Sequence, residues 1–76
     1  IAAKVIKVLQ EKGWIQKRYE TPQGYCLAGA INSLDISILD KDTFSKLLRS
    51  KVGPLTVWND QPKRKKEDII ALLESI

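Results

Sequence analysis

The chain is 76 residues long, 43% apolar, with a formal charge of +4. That is enough for one small domain with a core of its own, and it excludes wholesale disorder. One cysteine and no histidine exclude an intrachain disulfide and any Cys/His zinc site, so neither a metal nor a cofactor is expected. No apolar run reaches the ~20 residues that span a bilayer, and the opening, IAAKVIKVLQEKGW, spaces its lysines on a helical period unlike a signal peptide. A soluble, cytoplasmic protein with no membrane partner is the expectation.

Residues 1–12 predict a helix. Ala2, Val5, Ile6 and Leu9 share one face, with Lys4, Lys7, Glu11 and Lys12 on or near the other. Gly13 is placed to end it, and Trp14 and Ile15 to fold back onto it. The polar run QKRYETPQGY, broken by Pro22 and Gly24, reads as a loop, with a short extended segment over 14–19 as an option. A second helix over 25–34 sets Cys26, Leu27, Ala30, Ile31 and Leu34 on one side. Small residues at 28–30 allow another backbone to approach closely. DISIL (35–39) alternates, as a brief strand or a linker would. A third helix over 41–52, capped by Asp40 or Asp42, carries a stripe of Phe44, Leu47, Leu48 and Val52. Gly53 and Pro54 stop it. A last helix carries Ile69, Ile70, Leu72, Leu73 and Ile76. The fold class is therefore all-α: a single domain over 1–76 of about four short helices, with Phe44, Trp14 and Trp58 as the largest core candidates.

Three stretches carry a resemblance: EKGWIQKRYE at 11–20, GYCLAGAINSL at 24–34 and VWNDQPKRKKEDIIALL at 57–73. Together they resemble a family of small bacterial and bacteriophage proteins of unknown function. Its members share Gly-Trp after the first helix, Cys-x-x-Gly-Ala, Trp-Asn-Asp, and an Arg-Thr-x-x-Asp/Glu helix start. The pattern falls on Gly13 and Trp14, on Cys26, Gly29 and Ala30, on Trp58, Asn59 and Asp60, and on Arg64. It departs at Lys65, where Thr would cap a helix; losing that acceptor typically costs about 0.5–2 kcal/mol. The resemblance implies a mostly helical domain and no assigned reaction.

Three features are candidates for function. Cys26 near a helix start could be an activated thiol, but a cysteine nucleophile needs a base and the chain has no histidine, which favours a packed structural role. Trp58, Asn59 and Asp60 favour a local Asx-type turn leading into the last helix, with Trp58 anchored in the core, over a displayed recognition site. Lys63, Arg64, Lys65 and Lys66 crowd a helix start, which attracts anions and repels cations. If the helix begins near Lys66 they are a solvated lead-in; if it begins near Pro62 a phosphate or carboxylate would relieve them. Lys17, Arg18 and Tyr19 could extend such a surface.

The expectation from these residues is a non-enzymatic binding module, with a protein partner held in an apolar or mixed groove beside the basic loop. Phosphate or nucleic-acid binding through 63–66, Lys17 and Arg18 is the alternative. A thiol-dependent enzyme at Cys26 is the distant one.

Overall fold

The computed structural model describes residues 1–76. Helix α1, Ala2–Lys12, buries Val5 and Leu9 and stops at Gly13, whose N–H bonds the Leu9 carbonyl from a left-handed backbone (φ 98°). Two short strands follow, β1 (Glu20–Thr21) and β2 (Gly24–Tyr25), paired antiparallel with Glu20 opposite Tyr25. The turn between them is held by the Thr21 hydroxyl, which accepts the Gln23 N–H at 3.1 Å. The hairpin docks on the end of α1: Tyr25 N–H donates to the Gly13 carbonyl, and Ile15 N–H to the Tyr25 carbonyl, both at 3.0 Å. A Cβ on Gly13 would strike the Gln23 carbonyl and one on Gly24 the Gly13 carbonyl, so both glycines serve this backbone-on-backbone contact.

Helix α2, Leu27–Ser33, runs into α3, Ile38–Val52, through a four-residue connection at 34–37. Then come α4, Leu55–Asn59, and α5, Lys66–Glu74. The all-α expectation is thus corrected: the fold is mostly helical, but with five helices and a two-stranded sheet. No helix is long and apolar enough to cross a membrane.

The differences from expectation are local. Helix α2 begins two residues late because Gly24 and Tyr25 are drawn into the sheet. Helix α3 begins at Ile38, and its cap is neither Asp40 nor Asp42 but Ser37, whose hydroxyl accepts the Asp40 N–H at 3.1 Å. DISIL is therefore connection plus first turn, not a strand. Helix α4 lies where only a linker was expected; Pro54 precedes its first residue, where a missing N–H costs nothing.

The core is a cluster of eleven buried residues drawn from every helix and the connection after α2. Val5 and Leu9 of α1 meet Leu27, Ala30 and Ile31 of α2, with Leu34, Phe44 and Leu48, Leu55 of α4, and Ile69 and Leu73 of α5 completing it. Leu47, expected on the buried stripe of α3, is exposed. Trp14 and Trp58 are half-buried and pack against the cluster from its edge.

This division sets a stability contrast. Ile69→Ala or Leu48→Ala, each at a fully buried position, should cost about 2–5 kcal/mol by denaturant unfolding. Leu47→Ala should change stability by no more than about 0.5 kcal/mol.

Candidate functional site

Asn59 is fully buried, so its amide must find partners inside the protein or cost roughly 1–3 kcal/mol. It finds four. Its Oδ1 accepts the Trp14 indole Nε1–H at 2.7 Å and the Leu27 N–H at 3.0 Å. Its Nδ2 donates to the Ile15 carbonyl at 3.1 Å and to Asp60 Oδ1 at 3.0 Å. This uses both lone pairs and both protons. The Leu27 N–H belongs to the first turn of α2 and has no partner in its own helix, so Asn59 caps that helix from 32 positions away.

Asp60 continues the stitching. The same Oδ1 accepts the Lys17 N–H at 2.8 Å, and Lys17 has a left-handed backbone (φ 71°), unusual for a residue with a side chain. Gln16 donates its amide to two carbonyls, Asn59 at 2.9 Å and Gln61 at 2.8 Å. Residues 14–17 are thereby tied to 59–61, across 43 to 45 positions of chain. The expected local turn is corrected: Asn59 and Asp60 bond distant segments, and Asn59 is not displayed for recognition at all.

A groove of about 200 Å³ opens beside this seam, lined by Lys17, Arg18, Tyr19, Cys26, Thr56 and Asp60. Its floor is fixed by close packing. Gly29 lies so near the Tyr19 carbonyl that a Cβ there would overlap it, and Cys26 N–H donates to that carbonyl at 3.2 Å. Cys26 caps α2 through its sulfur, which accepts the Gly29 N–H at 3.3 Å. Burial pushes its thiol pKa up, opposed by the N–H groups of Gly29 and Ala28 and reinforced by the Asp60 charge. Burial and the Asp60 charge thus oppose the ionisation that an activated nucleophile needs.

The basic segment divides. Helix α5 begins at Lys66 with Lys65 at its N-cap, so Lys63, Arg64 and Lys65 precede it and Glu67 and Asp68 occupy its first turn. Asp68 Oδ2 accepts the Lys65 N–H at 2.9 Å; the ammonium is donor-only, so the reciprocal half of a capping box is missing. Arg64 is already engaged: Nε donates to the Trp58 carbonyl at 3.0 Å, and the guanidinium lies 4.0 Å over the Trp58 ring. Trp58 is therefore an edge residue under a cation, and its truncation should cost less than the ~3–5 kcal/mol of a fully buried tryptophan. Lys66 shares a surface depression with Gln10, Glu67 and Glu74. Lys17, Arg18, Lys63 and Lys65 are exposed, and both ion pairs in the structure, Lys7–Glu11 and Lys46–Asp42, lie elsewhere.

Sequence reasoning placed Lys17, Arg18 and Asp60 among the candidates, and the fold does bring them together. It missed Gln16 and Thr56. A glutamine in a polar run and a threonine in an unrecognised one-turn helix give no periodic signal of long-range partners.

Two readouts follow from the raised Cys26 pKa. Iodoacetamide should modify native Cys26 far more slowly than the denatured chain. Above the ordinary thiol pKa the unfolded chain releases a proton that the folded one keeps, so stability should fall as pH rises through that range. Denaturation of Cys26→Ala alongside should show that slope reduced; equal slopes and rapid native alkylation would contradict the packed assignment.

The family model described as "Family of unknown function (DUF6197)" matches residues 1–76. No curated protein and no solved structure matches the chain. From end to end, the chain belongs to the DUF6197 family of unknown function.

Proposed function

We propose that this chain is a small cytoplasmic binding module of bacterial or bacteriophage origin, without a reaction of its own. It takes a protein partner in the groove between residues 17–19 and α4. The observation that carries this reading is the seam itself. Gln16 and Asp60 hold Lys17 in a left-handed conformation and set Lys17, Arg18 and Tyr19 against Thr56 and Asp60, with Lys63 three residues beyond Asp60. The resemblance to bacterial and bacteriophage proteins supports the same place. The motif positions Trp14, Cys26, Gly29, Asn59 and Asp60, scattered in sequence, converge on this seam.

The chemistry of the groove favours a protein segment over a polyanion. Of the six cations considered, Arg64 is stacked on Trp58 and Lys66 lies among carboxylates, which leaves four. The groove's lining sets the Asp60 carboxylate beside only two cations, Lys17 and Arg18, too few to track a run of phosphates, and the exposed Tyr19 side chain stands in its wall. Exposed ion pairs contribute about 0.2–1 kcal/mol each, so apolar contact has to supply much of any affinity. The complementary partner is a segment that pairs carboxylates with aliphatic side chains. The absence of histidine and the burial of Cys26 support a non-enzymatic role.

NMR titration of the labelled chain with a peptide of alternating Asp and Leu, and separately with single-stranded oligo-dT, tests this. The expected result is peptide-induced shifts at the amides of Lys17, Arg18, Tyr19 and Thr56, with binding weakened severalfold by Lys17→Gln with Arg18→Gln. A peptide that moves none of these amides contradicts the reading. Tighter binding of oligo-dT, with steep salt dependence, transfers the groove to nucleic acid.

A further inference from the structure

The start of α3, outside the groove, carries the complementary chemistry. Ile38 and Leu39, the first two residues of α3, are 84% and 73% exposed. Exposed carboxylates at Asp35, Asp40 and Asp42 surround them. Asp42 is paired with Lys46 at 3.0 Å, and the Lys41 ammonium is turned away onto the Asn32 carbonyl at 2.6 Å. Asp35 and Asp40 are left without ion-pair partners beside two bare aliphatic side chains. That is the composition the groove calls for: aliphatic against Tyr19, carboxylate against Lys17 and Arg18.

Within one molecule this contact is not made: none of Ile38, Leu39 and Asp40 lines the groove. Helix α3 is 15 residues long, roughly 22 Å from end to end. Its far end passes through Gly53 and Pro54 directly into α4, which forms a wall of the groove. The tip is thus a helix length from the end of α3 that leads into the groove wall.

We infer that the groove's partner is a second copy of this chain, whose α3 tip (Ile38, Leu39 and Asp40) docks in it. The inference rests on the protein-binding reading above. The two surfaces differ, so the contact is head-to-tail; unless its rotation closes a ring, it leaves a free tip and a free groove at the ends of every assembly and builds open chains. The formal charge of +4 per chain opposes association, so the interaction is weak and concentration-dependent.

Sedimentation equilibrium of the full chain, up to millimolar concentration, tests it. For the wild type, the average mass should climb with concentration past twice the 8.6 kDa of one chain. A tip variant (Ile38→Ser with Leu39→Ser) and a groove variant (Lys17→Gln with Arg18→Gln) should each stay near one chain mass. Mixed in equal amounts they should form a one-to-one pair that grows no further, because each supplies the surface the other lacks. Melting curves check that both remain folded, and Asp40→Lys replaces the tip variant if it does not. Wild type that stays monomeric while still binding the Asp-Leu peptide overturns the second-copy inference and leaves the protein-binding reading intact. Absence of both self-association and peptide binding removes both. Self-association unchanged by either variant places the contact on another face and also overturns the inference.

Discussion

A single buried amide organises the half of this protein that holds the groove. Asn59 is wholly enclosed, and an unpartnered amide there would cost on the order of 1–3 kcal/mol. With all four of its hydrogen bonds made, each contributing a net ~0.5–1.5 kcal/mol, the same group fixes three segments at once. It holds the Trp14 indole at the end of α1, closes an open N–H at the start of α2, and orients Asp60. Without it, the hairpin loop would be attached to the helices only through its own backbone and the Gln16 contacts.

The rest of the seam follows from that anchor. Asp60, set by Asn59, receives the Lys17 N–H and stabilises a backbone conformation that a lysine rarely adopts. The chain then turns so that Tyr19 lies with its carbonyl against Gly29, a position where any side chain would intrude. Cys26 fills the corner as a small buried group and caps its helix with sulfur. Residues that look like candidates for chemistry thus hold a surface in shape. The surface itself is made by their neighbours Lys17, Arg18, Tyr19 and Thr56.

Much of the helical frame was legible in the sequence. Val5 and Leu9, Phe44 and Leu48, and Ile69 and Leu73 recur at helical spacing, and Gly13 and Gly53 mark the stops. What escaped was too short or too distant to leave a pattern. Two-residue strands and the one-turn α4 offer no period to detect. Alternation in DISIL suits a strand or a linker alike; the linker is what forms, and Ser37 within it caps a helix that starts earlier than expected. The tryptophans looked like core residues by size. Trp14 instead sits at the edge, where its indole N–H reaches Asn59, and Trp58 is shielded by Arg64. Cations at 17–18 and the acid at 60 were each visible, but their shared surface depends on hydrogen bonds spanning more than forty residues, which no local rule anticipates.

If the Asn59 network is what holds the loop to the helices, the groove can lose its shape only when the whole fold opens. Native-state hydrogen exchange of the Trp14 indole N–H and the Leu27 amide measures this directly. Both should exchange with the same opening free energy as core amides such as Ile69. Rapid exchange at Trp14 and Leu27, while Ile69 remains protected, would show a loop that detaches by itself and would contradict the organising role of Asn59.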